Sequence, residues 1–472
     1  MKRLIMLAVL CAFVLSAAAA SAADIKASGS WAIEALWASN WDFKDKMVNS
    51  DADQGQFEVY QRATTTFEFV ANENLKGVLV TRYGTQSWGS GGFRIGQGDS
   101  TTAANTNQIT VRRAYVDFNY PDTSVNVKAG YLAVTLPNAF GGGSMILDEE
   151  VGAAVVSGAI TDNVSYLLGY ARAYSGGATT NQEVDGYVAA LPMNFDGITF
   201  APFGMYAPIG GEVTAAAVTT GTGAKMIGLA AANASDTGVT GSSYDNAYWL
   251  GAAFTMDMFD PFVLKADVNY GKVASSRAQN ERSGWLFDAA LEYKGMDFMT
   301  PEAFFVYTSG EDGNATKGDG GSERMPILAA QGWAMGSFFF GGDRLLMGSI
   351  GSRNNYMGFW ALGLSLKDIQ SFAEGMTHDA HFIYAKGTND KNTYSTVTGE
   401  GNAGVTYGRT LTEDDSLFEV DFNTGYKLYD ELTLSLDLGY VNLRTKKERW
   451  DNLDGQKGGD AWKISTGVLY SF

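Results

Sequence analysis

Hydrophobic and polar side chains alternate along the chain in segments of strand length. The segment 432–440, LTLSLDLGY, has a leucine or tyrosine at every second position. The same alternation occupies 108–120, 262–270, 285–294 and 418–427. A period of two residues is that of a β-strand with one apolar and one polar face. The chain is therefore predicted to be all-β.

Short turns and long polar loops alternate between these predicted strands. Short turns fall at 72–74, 121–123, 161–163, 257–260, 294–300 and 428–431. Long loops occupy 87–107, 208–245, 309–356 and 387–416. This arrangement is typical of transmembrane antiparallel β-barrels, whose strands conceal their hydrophobicity in alternation. After the N-terminal segment, no apolar run of about 18 residues predicts a membrane helix.

The number of strands is predicted to be 18, with both termini on the periplasmic side. Sixteen or twenty strands also satisfy the pattern, because the loop 309–356 is long enough to contain further elements. Its apolar piece, 325–350, is expected to form either a hairpin or an insert that plugs the barrel.

A soluble all-β protein is the alternative class, since its strands also alternate. Its core face would carry bulky side chains, whereas here that face often carries single alanine, glycine and threonine residues. Tyrosine, tryptophan and phenylalanine gather near strand ends, as they do at the two interfaces of a membrane. The final strand, DAWKISTGVLYSF, alternates in the same way and ends on Tyr470 and Phe472. The barrel is the preferred prediction.

The N-terminal segment 1–23 is predicted to be a cleaved secretory signal peptide. It has Lys2 and Arg3, then an apolar run, then small residues ending in Ala22 and Ala23. The mature chain, 24–472, is expected to form a single transmembrane β-barrel domain. It is strongly acidic, with a formal net charge of −18 for the whole chain. This charge argues against nucleic acid as a partner, since phosphate binding needs clustered basic residues.

The stretch 124–150 is predicted to be a strand followed by a loop that folds into the pore and narrows it. The alternation of 124–133 stops at Pro137, and Phe140, Gly141 and Gly142 follow. Three consecutive carboxylates then close the stretch, and we expect them on the inward loop. They are Asp148, Glu149 and Glu150.

Basic residues are expected to face this loop across the constriction. Arg62, Arg82 and Arg113 occupy lumen-facing positions of three consecutive predicted strands, and Lys128 occupies that of the next. A barrel of this size encloses water. Cations on the wall and anions on the loop would then create a transverse field that favours small polar solutes.

Pairing within the wall is the alternative role for these cations, because Glu58, Glu68 and Asp117 share their face. Arg112 has the opposite parity. It is expected to face lipopolysaccharide phosphate or a neighbouring subunit.

The run 137–142, Pro-Asn-Ala-Phe-Gly-Gly, resembles the Pro-Glu-Phe-Gly-Gly run that opens the constriction loop of trimeric general porins. Asn138 and Ala139 stand where that family has a single Glu. The whole chain more closely resembles the homotrimeric outer-membrane porins of sulfate-reducing bacteria. This resemblance implies a homotrimer in outer-membrane lipid and passive diffusion of small hydrophilic solutes. Tyr470 and Phe472 resemble the signal read by the outer-membrane insertion machinery.

No catalysis, organic cofactor or metal site is predicted. The two histidines, His378 and His381, are three residues apart on a predicted strand, so their rings lie on opposite faces. No serine motif accompanies them. The acidic pieces 311–314 and 413–415 lack the full spacing of a calcium loop.

Two other functions are compatible with the sequence. A substrate-specific channel for sugars or oxyanions would share the fold and would show a long ladder of aromatic or basic residues in the lumen. A structural surface protein or adhesin would have a plugged barrel, and the apolar segment 333–350 keeps this alternative open.

Overall fold

The computed structural model contains one antiparallel β-sheet that closes on itself. It describes residues 24–39, 55–88, 109–175, 183–210, 244–275, 281–313, 323–328, 333–338, 340, 345, 357–391, 411–445 and 459–472. The strands are β1 (Asp24–Ser39), β2 (Gly55–Asn72), β3 (Leu75–Ser87), β4 (Ile109–Asn119), β5 (Asn126–Thr135), β6 (Asp148–Ala159), β7 (Ser165–Ser175), β8 (Glu183–Ala190), β9 (Met193–Phe195), β10 (Ile198–Pro208), β11 (Tyr244–Phe259), β12 (Phe262–Ser275), β13 (Arg282–Tyr293), β14 (Thr300–Thr308), β15 (Phe359–Gln370), β16 (Met376–Gly387), β17 (Ser416–Tyr429), β18 (Leu432–Arg444) and β19 (Gly459–Ser471). Within these residues, no helix is long and apolar enough to cross a membrane.

The barrel closes through the first and last strands. β1 pairs with β19 from Ser30–Ser471 to Ser39–Trp462. The other strands pair with their neighbours in sequence, except that β8 and β9 do not pair with each other. β8 and β9 both pair with β10 and occupy one position in the barrel. They are separate strands because Pro192 lies between them and has no backbone N–H for the ladder. The barrel therefore has 18 positions, as the sequence predicted.

Short turns and both described chain ends lie at the same end of the barrel. The Gly29 N–H donates to the Phe472 carbonyl at 2.8 Å, and the Phe472 N–H donates to the Gly29 carbonyl at 3.0 Å. The Tyr470 and Phe472 rings stack with centroids 5.7 Å apart, and both are exposed on the outer face. The predicted alternating final strand is confirmed.

Two inserts fill part of the barrel interior. The first is the loop 136–147 between β5 and β6, here called the constriction loop. It buries Leu136, Phe140, Met145 and Ile146. The backbone N–H groups of Ala139 and Phe140 donate to the Asp267 carboxylate of β12 at 2.9 Å. Since β12 is several strands away around the wall, the loop crosses the lumen. The prediction of an inward loop is confirmed.

The second insert comprises the described residues of the long β14–β15 connection, namely 323–328, 333–338, 340 and 345. Its Trp333, Phe338 and Phe340 are buried, and Phe338 donates its N–H to Glu419 of β17 at 3.1 Å. Leu345 packs near β1. The described part of the apolar piece 325–350 therefore lies inside the barrel as an insert. Residues 329–332, 339, 341–344 and 346–350 of that piece lie outside the described residues.

The wall separates locally where the constriction loop begins. β4 and β5 pair only as far as Ala114–Tyr131, whereas β5 and β6 remain paired up to Thr135–Asp148. The separation begins next to Gly130, whose φ of +136° is a conformation that side chains rarely adopt. A Cβ at Gly130 would lie 2.4 Å from the Ala114 carbonyl oxygen. The bend thus depends on glycine at this position.

We predict that Gly130→Ala destabilises the barrel by about 1–3 kcal/mol, through backbone strain and the contact with the Ala114 carbonyl. Stepwise heating followed by gel mobility of the folded band measures this loss. Gly77→Ala is the matched control, because a Cβ there meets only the Phe69 Cβ at 3.9 Å. Equal melting temperatures for the two variants would contradict the prediction.

Candidate functional site

The predicted arginines lie on the lumen face of consecutive strands. Arg62 pairs with Ala32 of β1, a buried position on the inner face. Arg82 pairs with Thr64, and Arg113 pairs with buried Val80. Because directly paired residues of antiparallel strands share a face, all three side chains occupy the inner wall.

A β-bulge adds a fourth arginine. Val80 pairs with Arg113 and Thr81 pairs with Val111, so Arg112 is an extra residue in β4. Arg112 and Arg113 both bond the Glu150 carboxylate, Arg113 through its Nε at 3.1 Å. The expectation that Arg112 faces lipopolysaccharide or another subunit is wrong. The bulge interrupts the alternation, so adjacent residues project to the same side.

The three carboxylates occupy positions different from those predicted. Asp148, Glu149 and Glu150 are the first residues of β6 and do not lie on the constriction loop. Asp148 accepts the Thr135 hydroxyl at 2.9 Å, and Glu149 accepts the Glu150 N–H at 2.9 Å. The prediction of loop-borne carboxylates opposite the arginines is therefore wrong. β6 begins three residues earlier than the loss of alternation suggested. Glu150 has the parity of Gly152 and Ala154, and it reaches the arginines where β5 is no longer paired with β4.

The resulting arginine cluster consists of Arg82, Arg112, Arg113 and Glu150. Arg82 lies within electrostatic range of the other three. The Glu150 side chain is only 13% exposed, so its pairing is shielded from solvent. Asp148 also lies within electrostatic range of Arg113, so three guanidinium groups face two carboxylates and a small local excess of positive charge remains. Such a cluster on a pore wall raises the local concentration of anions.

Lys128 belongs to a separate row of wall charges. Its Nζ lies 3.9 Å from Asp117, which also accepts the Asn126 amide at 2.8 Å. Nearby, Lys76 bonds Glu68 at 2.6 Å. The sequence left open the alternative that basic residues pair with carboxylates of the wall, and this alternative applies to Lys128. It does not join the arginine cluster.

The sequence did not identify the carboxylates that hold the inserts. Asp267 accepts two N–H groups of the constriction loop, while Asp421 accepts the Ser337 N–H of the second insert at 2.8 Å. Lys463 of β19 donates to the Ser337 carbonyl. Alternation placed these residues on the polar face. Their hydrogen-bond partners lie more than 80 residues away in the chain, so the sequence around each carboxylate could not predict them.

The histidines lie on opposite faces, as their spacing predicts. His378 shares a hydrogen bond with Thr424 at 2.9 Å and stacks on Phe422, which is exposed on the outer wall. His381 shares a hydrogen bond with buried Ser365 at 2.9 Å. In the described part of the chain, no three His, Cys, Asp or Glu side chains are grouped so that they could hold a metal ion.

We predict that Glu150→Gln shifts the channel toward anions. The change removes the carboxylate that Arg112 and Arg113 bond while keeping its shape. The anion-to-cation permeability ratio should rise by about twofold or more at low salt, where screening is weak. Reversal potential in a salt gradient measures this ratio. Asp460→Asn is the control, since Asp460 lies on the outer face and bonds Tyr440 and Asn442; an equal shift in both variants would contradict the assignment.

No protein-family model matches the sequence, and the comparison with curated proteins gives no match. Solved structures do match over nearly the whole chain. The outer membrane protein OprD from Pseudomonas aeruginosa aligns with a TM-score of 0.51 and 13% identity, over 96% of each chain. OccK11 (OpdR) from the same organism aligns with a TM-score of 0.50 and 11% identity, over 94% of this chain and 96% of that one. Acinetobacter baumannii OccAB4 gives a TM-score of 0.50 and 9% identity, over 95% and 98%.

Identities this low establish similarity of fold and nothing more. The chain is therefore a closed 18-stranded β-barrel with the fold of bacterial outer-membrane porins.

Proposed function

We propose that the protein is an outer-membrane porin that forms a water-filled channel for passive diffusion of small hydrophilic solutes and ions. The observation that carries the proposal is a barrel whose lumen is narrowed by an inward loop beside charged wall residues. Because a pore selects solutes by what lines its narrowest point, local charge outweighs total charge. The arginine cluster therefore favours small anions despite the acidic composition of the chain.

The proposal includes the cellular route of the protein. Residues 1–23 are a signal peptide that is cleaved after export, and 24–472 form one barrel domain. The insertion machinery of the outer membrane reads the final strand with Tyr470 and Phe472. In the membrane, lipid and lipopolysaccharide surround the apolar outer face, which exposes residues such as Leu250 and Leu362. This function requires neither catalysis nor a cofactor.

A substrate-specific channel for sugars or oxyanions is the second candidate. Two inserts that meet inside the barrel favour it, since Leu328 of the second insert donates its N–H to Ile146 of the constriction loop at 2.9 Å. Such filling leaves a narrower path than one loop alone. A plugged structural protein or adhesin is the third reading and differs from both in conducting no ions.

Single-channel recording in planar bilayers tests the proposed function. We expect stepwise openings with weak anion preference, and liposome uptake of sugars that falls smoothly with their size. Saturable block of the current by one sugar or oxyanion at low concentration would indicate the substrate-specific channel. Silent membranes containing correctly folded protein would rule out both channel functions and leave the plugged barrel.

We also propose that the porin is a homotrimer whose contact includes the outer face of β6. Gly152 and Ala154 give this face little side-chain volume, and Ala154 is exposed. Ala154→Trp should therefore convert the trimer band on unheated gels to monomer, because the indole separates the two walls. Ala303→Trp, at an exposed alanine of β14, should leave the trimer intact. If Ala154→Trp remains a trimer, the subunit contact lies elsewhere on the barrel. If the wild-type protein is a monomer, the homotrimer proposal is wrong.

A further inference from the structure

A chamber inside the barrel has walls that differ from those of a hydrophilic pore. It has a volume of about 490 Å³ and lies between the constriction loop and the inner faces of β5 to β8, β10 and β11. Small-molecule sites commonly have volumes of roughly 300–1,000 Å³. The chamber is therefore large enough for a small organic molecule.

The inner faces of these strands are apolar, although the lumen of a porin is normally polar. Strand walls supply aliphatic side chains, among them Val155, Leu167 and Val188. The constriction loop adds Leu136 and Leu147. On the same strands the outer faces are also apolar, with Leu168 and Tyr187 exposed. The inward apolar positions are thus additional to those that the membrane requires.

The charged residues at the edge of the chamber have partners elsewhere. Asp185 is bonded by Arg172 at 2.8 Å and by Tyr170 at 2.9 Å. Glu149 accepts the Glu150 N–H, and Lys128 lies against Asp117. These groups are therefore engaged with protein atoms. Water in the chamber would meet few hydrogen-bonding groups, so an apolar molecule that displaces it is favoured.

We propose that this chamber binds a small neutral apolar molecule, of the size and chemistry of an alkylbenzene. An organic anion would instead be drawn to the arginine cluster on β3 and β4, where positive charge is in excess. The binding site is additional to the passage of hydrophilic solutes. It gives the barrel two chemically distinct regions, one lined with aliphatic groups and one with guanidinium groups.

Glycines in the wall allow the chamber to be filled without disturbing the strands. A Cβ at Gly186 would meet only the Ala171 carbonyl oxygen, at 3.8 Å, and Gly186 lines the chamber. A phenylalanine at this position would therefore project into the space that the ligand occupies. Gly77 provides a matched control on the outer wall, where a Cβ would meet only the Phe69 Cβ at 3.9 Å.

Cysteine protection tests the proposal, with toluene as the probe. Residues 24–472 contain no cysteine, so a single cysteine is introduced at Ala171→Cys in the chamber or at Thr64→Cys on the lumen face beside Arg82. Toluene should slow maleimide labelling at Ala171→Cys by about threefold when its free concentration is twice Kd, since protection follows 1 + [L]/Kd. Labelling at Thr64→Cys should be unchanged.

Two comparisons decide the ligand class and the location. Gly186→Phe should abolish the protection at Ala171→Cys, whereas Gly77→Phe should preserve it. Benzoate, which adds a carboxylate to the same ring, should not protect Ala171→Cys. Equal slowing at both cysteines, no slowing at either, or equal protection by benzoate would overturn the proposal. If Gly186→Phe fails to give a folded band on gels, the comparison of labelling at Ala171→Cys and Thr64→Cys still tests the proposal.

The outcome is independent of the proposed diffusion function. Conductance of the same variants reports whether the barrel passes ions, and protection by toluene reports whether the chamber binds. A silent barrel that protects Ala171→Cys would refute the porin and retain the apolar site. A conducting barrel in which toluene does not protect Ala171→Cys would support the porin and refute the apolar site.

Discussion

The structure depends on the cost of unpaired backbone groups in hydrocarbon. Each N–H and C=O that faces lipid must find a partner in the protein, so a membrane sheet has to close. Pairing of β1 with β19 over Ser30–Ser471 to Ser39–Trp462 removes the two edges that an open sheet would expose. Closure then separates an outer face, which is apolar, from an inner face that is free to carry charge.

Carboxylates on the inner face of the barrel hold the two inserts through hydrogen bonds. Asp267 and Asp421 accept backbone N–H groups that loops would otherwise leave unpaired in a crowded interior. Hydrogen bonds to charged groups contribute about 1.5–3 kcal/mol, more than those between neutral groups. Aromatic side chains of the second insert, including Trp333 and Phe340, pack beside these bonds. The lumen is thus shaped by a polar framework and a small apolar core together.

Charge in the lumen is organised locally. The chain as a whole carries a formal charge of −18, yet three arginines lie together on one side of the pore, with only Glu150 and Asp148 close to them. Because ions are screened within about 10 Å at 0.1 M salt, a solute at this point responds to the arginines and hardly to the distant acidic residues. The apolar chamber beside the constriction loop adds a second local environment, so one lumen presents two kinds of surface.

Alternation in the sequence determined the strands and the lumen-facing positions of Arg62, Arg82 and Arg113, and its interruption at Pro137 marked the loop after β5. These features are local, since a period of two residues assigns each side chain to a face within its own strand. Tertiary structure alone decided that a bulge turns Arg112 inward, that Glu150 belongs to β6, and that Asp267 holds the constriction loop. Bulges and register arise from pairing between strands, and contacts across the lumen arise only when the barrel closes. Alternation within one strand carries no information about either.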